Sequence, residues 1–231
     1  VTPAGAVLLA GATGLVGGGV LSLALAGADG PRVVAPVRRP LARTHPRLSV
    51  LATDLSAGVD VLGPQVAALA PRLAAYVCCL GTTLRQAGSR EAFLAVDREL
   101  VLRLGEVARR LGARHAILVS SVGASAQSGN FYLRVKGEAE RGLAELGFER
   151  LDLLRPGLLL GERAERRFAE GLGQRLAPLA NPLLLGSLCR YRAIAAADVA
   201  AAAVALLRQG DAPGRFVHEF ASLRALARGE A

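Results

Sequence analysis

Short runs of aliphatic and β-branched residues recur along the chain, separated by longer stretches in which apolar residues return every three or four positions. The short runs predict strands at Ala6 to Ala10, Arg32 to Val37, Leu48 to Ala52, Ala75 to Leu80, Ala116 to Ser120 and Arg150 to Leu154. The longer stretches predict helices at Leu15 to Leu25, Pro64 to Leu73, Arg90 to Leu111 and Phe131 to Leu146. In the third of these, Phe93, Val96, Leu100, Leu104 and Val107 form one apolar face suited to packing on a sheet, and Gly112 stands where a helix favours glycine at its end. Continuous apolar strands alternating with helices imply an α/β fold, a doubly wound parallel sheet covered on both sides. After Leu160 the alternation weakens. The arginine-bearing stretch Gly161 to Arg192 reads as a small C-terminal cap on the substrate side, within a single domain over residues 1–231.

Composition narrows the class. The chain has 231 residues, 52% hydrophobic, and a formal charge of +9 from 28 Lys+Arg against 19 Asp+Glu, which excludes a disordered chain. All but one of the basic residues are arginine, a bias that GC-rich codon usage explains as readily as a phosphate-seeking surface does. Aromatic residues at 4% offer few stacking platforms, which argues against single-stranded nucleic acid, and nucleic acid is not the expected partner. Val1 to Ala28 carries no charge, yet the seven glycines from Gly5 to Gly27 break the uniform apolar character of a membrane span, and Asp198 interrupts the apolar run Ala193 to Leu207. No transmembrane segment is expected. Three cysteines cannot make a disulfide scaffold, so a reducing, cytoplasmic setting is expected. The adjacent Cys78 and Cys79 lie on a strand, where neighbouring side chains face opposite ways, and packing explains them better than redox chemistry. Cys189 is isolated. His45, His115 and His218 share no metal-binding spacing, and no metal is expected.

Candidate chemistry begins directly after the first strand. In Gly11-Ala12-Thr13-Gly14-Leu15-Val16-Gly17, the first glycine permits a tight turn, Gly14 lets main-chain amides approach a pyrophosphate, and Gly17 lets the helix pack close to the strand. The helix N-terminus adds a partial positive charge for phosphates. A glycine-rich turn without ligand is the alternative. The second strand ends in Val37-Arg38-Arg39, with two guanidinium groups and no acid, which favours the 2′-phosphate of NADP over the free ribose of NAD. Asp54, followed by Leu55 after the third strand, is placed to bond an adenine amino group or to serve as a surface cap.

Tyr132 and Lys136 stand four residues apart on one helix face, with Ser120-Ser121 at the end of the preceding strand. A phenol ordinarily keeps its proton up to about pH 10, and exchange at neutral pH calls for nearby positive charge of the kind Lys136 supplies. Lys136 is the only lysine in a chain that has arginine everywhere else.

The glycine-rich loop, serine, tyrosine and lysine in this order resemble the short-chain dehydrogenase/reductase superfamily. Cys79-Leu80-Gly81-Thr82-Thr83, Val96-Asp97-Arg98, Ser120-Ser121, Asn130-Phe131-Tyr132, Val135-Lys136-Gly137-Glu138 and Arg155-Pro156-Gly157 resemble its atypical branch that includes the Tat-interacting oxidoreductase-like proteins. The resemblance runs from about Gly11 to Leu160. It implies an NADP-binding Rossmann domain with Ser121, Tyr132 and Lys136 as the catalytic set, Leu80, Gly81 and Thr82 along the cofactor, and Pro156 and Gly157 beside the nicotinamide. Val122 replaces a lysine of the eukaryotic relatives. The expected function is an NADP-dependent oxidoreductase or epimerase-like enzyme acting on a small-molecule carbonyl or alcohol. A cofactor-sensing regulatory or scaffold protein without turnover is the alternative. The helices Arg90 to Leu111 and Phe131 to Leu146 offer a surface for a homodimer.

Overall fold

The structure is a computed structural model that describes residues 5–38, 41–161, 184, 186–209 and 212–230. Seven parallel strands form the main sheet: β1 (Ala6–Ala10), β2 (Arg32–Val37), β3 (Leu48–Ala52), β4 (Leu73–Cys78), β5 (His115–Val119), β6 (Arg150–Leu154) and β9 (Gly214–His218), in the order β3-β2-β1-β4-β5-β6-β9. The order reverses between β1 and β4. The crevice above the carboxyl ends of those two strands is the topological switch point where open α/β sheets bind ligands. Two further short strands, β7 (Leu159–Leu160) and β8 (Ile194–Ala195), pair with each other beyond the end of the sheet.

Every residue of β1 is buried, as a central strand covered on both faces requires. Val7 and Leu9 face one core, shared with α1 (Leu15–Leu25), and Ala6, Leu8 and Ala10 face the other, shared with α2 (Val59–Leu69). The next two helical pieces are α3 (Leu84–Ala87) and α4 (Arg90–Leu94); a five-residue π-helical turn, Ala95–Glu99, joins α4 to α5 (Leu100–Arg110). With α6 (Phe131–Glu145), α5 completes the second core. The first is completed by α7 (Ala196–Arg208) and α8 (Phe220–Arg228), which follow a 3-10 turn at Gly186–Tyr191.

Most strand and helix positions agree with the pattern of the sequence, and the differences have local causes. The second helix runs from Val59 to Leu69 rather than from Pro64 to Leu73, because Leu73 already pairs with Ala6 in the sheet and the chain must leave the helix before it. The predicted helix Arg90 to Leu111 is interrupted by the π turn, which adds a residue to one turn and changes the inward face: Asp97 is completely buried, while Val96 lines a cleft. The strands β4 and β5 end earlier than expected, so that Cys79, Leu80 and Ser120 leave the sheet at its carboxyl edge. The ninth strand and the last two helices had no counterpart among the predicted elements. Of the proposed cap, residues 162–183 and 185, with Arg163, Arg166, Arg167 and Arg175, lie outside the described residues, as does Arg39. No helix among the described residues is long and apolar enough to cross a membrane.

Candidate active site

The turn from β1 into α1 is shaped by two glycines. Gly11 has a left-handed φ of +82°, and a Cβ built there would collide with the backbone of Cys79 at 2.7 Å. A Cβ on Gly17 would overlap the Gly11 carbonyl, so the first turn of α1 lies directly against the loop. Gly14 caps α1 without a side-chain hydrogen bond, and the first turn contains no acid. Main-chain amides and the positive end of the helix dipole are therefore left for an anion. Leu15 and Val16 begin α1 and pack towards the first core, Val16 fully buried.

Above this loop lies a cleft of about 310 Å³, between the ends of β1 and β4. It gathers Gly11, Thr13, Gly14, Arg38, Leu80, Gly81 and Thr82 from three separate stretches of the chain. Of the residues assigned from the sequence to the phosphate loop, Gly11, Thr13 and Gly14 line this space together with Leu80, Gly81 and Thr82, whereas Leu15, Val16 and Gly17 do not. No carboxylate lines it among the described residues, and Arg38 is its one charged side chain there. An anionic dinucleotide fits this combination of glycine cradle, uncapped helix end and guanidinium.

The predicted adenine-side pair stands differently. The Asp54 carboxylate accepts hydrogen bonds from the Ser56 amide and hydroxyl, both at 2.8 Å, and these bonds hold its carboxyl below the usual range. Its observed role is a local turn. Leu55 is buried in the second core, while its carbonyl accepts from Arg103.

On the inner side of the cleft, Gly81 separates the open space from Lys136. A Cβ on Gly81 would lie 3.5 Å from Lys136 Nζ. Lys136 is buried, and its ammonium makes an ion pair of 2.7 Å with Asp97 Oδ1. The other oxygen, Asp97 Oδ2, accepts the Thr82 amide at 2.9 Å. Burial draws the lysine down, but the Asp97 carboxylate and then the Tyr132 phenol outweigh it, and the ammonium is held above its ordinary range. Tyr132 stands one turn earlier on α6, half-buried, with its ring 5.7 Å from that of Phe93.

Ser120 and Ser121 are distinguished by the structure. Ser120 is buried, and its hydroxyl has no hydrogen-bond partner among the described residues; Ser121 is half-buried on the loop that follows β5. That loop is fixed at both ends of its path. The Val122 amide donates to Pro156 at 3.0 Å, joining it to the end of β6, and the Ser125 amide donates to Leu133 at 3.1 Å, joining it to α6. Gly137 makes this possible, since a Cβ there would overlap the backbone between Ser125 and Ala126. Ser121, Tyr132, Lys136 and Pro156 are thereby tied into one framework. Gly157, next to Pro156, lies against the carbonyls of Tyr191 and Arg192. Burial pushes both the Cys78 and Cys79 thiols up, keeping them protonated.

In the sequence, Asp97 stands out only through the resemblance carried by Val96-Asp97-Arg98. Its contact with Lys136 spans 39 positions and depends on a π turn, which apolar spacing does not reveal. The bare signal was a carboxylate within an otherwise apolar face.

No family model matches the chain. It is 37% identical over 169 residues to the Emericella nidulans protein named "Protein fmp52, mitochondrial", covering 73% of this chain and 72% of that protein. It is 48% identical over 98 residues to the Rattus norvegicus protein HTATIP2, covering 42% of this chain and 40% of that protein. Among solved structures, MoeE5 in complex with UDP-glucose and NAD aligns with a TM-score of 0.66 at 18% identity, over 94% of this chain and 76% of that one. The UDP-glucose 4-epimerase of Thermotoga maritima aligns with a TM-score of 0.68 at 14% identity, over 97% and 82%. At such identities these structures establish the Rossmann fold. The expectation of a cytoplasmic setting is corrected by the fungal relatives, which are named as mitochondrial. Scarce cysteine separates reducing from oxidising surroundings and does not distinguish one reducing compartment from another. By this similarity the chain belongs to the family of the fmp52 proteins, and its fold is the Rossmann fold of the aligned epimerase structures.

Proposed function

We propose that the protein is an NADP-dependent oxidoreductase or epimerase-like enzyme that acts on a carbonyl or alcohol carbon of a small molecule, with Tyr132 as general acid/base. The observation that carries this reading is the nearness of the buried ammonium to the cleft: a Cβ on Gly81, which lines the cleft, would lie 3.5 Å from Lys136 Nζ. The main-chain amides of the first turn of α1 would hold the pyrophosphate, and Arg38 would take the 2′-phosphate. When bound, the nicotinamide supplies the hydride acceptor or donor.

The remaining work falls to the chain's own groups. Tyr132 passes its proton to the substrate oxygen during reduction and takes it back during oxidation. Lys136 stabilises the phenol oxygen while the proton is away. Ser121 donates a hydrogen bond to the same substrate oxygen as negative charge develops there. Phe93 packs against the Tyr132 ring and restricts its orientation.

Replacing Tyr132 by phenylalanine removes the acid and keeps the ring. We expect Tyr132→Phe to reduce kcat by roughly 100-fold or more, with dinucleotide affinity measured by calorimetry close to that of the wild type. Equal turnover in both proteins contradicts the role of the phenol. Cofactor binding by the wild type without turnover of any carbonyl tested favours a regulatory protein that senses the dinucleotide.

A further inference from the structure

We propose that Asp97 is a positioning residue of this site, whose two carboxylate oxygens tie the Lys136 ammonium to the cofactor-lining turn at Thr82. The proposal rests on the reading above only in giving Lys136 a part in catalysis.

The geometry divides the carboxylate cleanly. Oδ1 lies 2.7 Å from Lys136 Nζ, and Oδ2 accepts the Thr82 amide at 2.9 Å. Asp97 has no exposed surface, so neither oxygen is supported by bulk water. The π turn at Ala95–Glu99 is what aims the carboxylate inward, and single π turns inside α-helices are frequent at functional sites. The pair is also placed for more than holding elements together. A Cβ at Gly81 would lie 3.5 Å from Nζ and 3.7 Å from Oδ1, in ordinary contact with both, so the two charges stand directly behind a residue that lines the cleft.

A lysine buried without a partner gives up its proton readily. The groups that face Lys136 are Asp97 from the π turn, Tyr132 from α6 and Cys78 from β4. The two neighbouring acids of α6 are engaged elsewhere, Glu138 with Arg98 at 2.8 Å and Glu140 with Arg155 at 2.9 Å. Asp97 is thus the carboxylate that keeps the ammonium charged. Because its second oxygen holds Thr82, a displacement of the turn on ligand binding is transmitted to the lysine.

Lys136 is the only lysine of the chain, so protein grown with ¹³Cε-lysine gives a single side-chain signal. We would titrate that signal by NMR in the wild type, Asp97→Asn and Glu138→Gln. The wild-type midpoint is expected above the ordinary lysine value of about 10.4. Asp97→Asn is expected to lower it by more than about one pH unit, and Glu138→Gln to leave it in place. NADPH is expected to shift the wild-type signal more than that of Asp97→Asn. Coincident titrations of wild type and Asp97→Asn overturn the proposal. If Asp97→Asn does not fold, the wild-type midpoint against that of the urea-unfolded chain decides, and a folded midpoint at or below the unfolded one overturns it. Calorimetry with NADPH on the same samples separates the two readings: no binding with a raised Lys136 refutes the proposed function alone, and binding with an unmoved Lys136 refutes the role of Asp97 alone.

Discussion

Arg38 is the charged side chain of the described cleft, and its position at the end of β2 gives it the ribose end of a dinucleotide laid across the switch point. A hydrogen bond to a charged group contributes about 1.5–3 kcal/mol where it is well formed. Arg38 is exposed, so the lower end applies. Arg38→Ala should weaken NADP binding by roughly tenfold while leaving NAD binding close to the wild type, as measured by competitive titration. An equal loss for both dinucleotides would place the arginine on a shared part of the ligand instead. At this scale the sequence was informative where a residue stands out against its background. Lys136 is legible because arginine has replaced lysine elsewhere, and Gly11, Gly14 and Gly17 because they follow an apolar strand. Asp97 was obscured because its meaning depends on a partner distant in sequence, and Asp54 was ambiguous because a surface turn and an adenine contact ask for the same residue type.

Elements are held in place by contacts that no periodicity announces. The edge strand β9 is half exposed, with two charged or titratable residues among its five, and reads as loop. It is fixed to the sheet by Asp152 of β6, which is fully buried. The Asp152 carboxylate meets His218 of β9 at 2.7 Å, His115 of β5 at 2.7 Å and Arg150 at 2.6 Å. The histidines, which share no spacing in sequence, are thus brought to one carboxylate by strand register. The helix α7 escaped for the opposite reason: it is so rich in Ala, Val and Leu that little polar face marks its period.

Burial alone would raise the Asp152 carboxyl, but the hydrogen bonds from His115, His218 and Arg150 outweigh it and hold the group well below the usual carboxylate range. The unfolded chain binds a proton there near pH 3.9 or so, whereas the folded chain keeps the carboxylate ionised to lower pH. The stabilisation is therefore complete above about pH 5 and lost as the pH falls below the unfolded value. Asp152→Asn should cost about 3–5 kcal/mol at pH 7, because it breaks the buried charge-assisted contacts of Asp152 with Arg150, His115 and His218. Urea midpoints at pH 7 and 3.5 should fall further in the wild type than in the variant. An identical acid dependence in the two proteins would show that Asp152 does not carry it.

For the molecule as a whole, the doubly wound sheet was legible because buried parallel strands are written as unbroken apolar runs, and because the glycine loop marks where the first crossover begins. The sequence could not reveal how the parts meet: Gly137 admits the Ser121 loop against α6, and the π turn brings Asp97 under Gly81. Membership of the fmp52 family leaves the chemistry to be established by the site. The central claim is that a phosphorylated dinucleotide occupies the cleft between β1 and β4. Isothermal titration of the full chain with NADPH tests it most directly. Saturable binding at one site per chain, tighter than that of NADH, is expected; titrations with both dinucleotides that show no saturation up to millimolar ligand would contradict it.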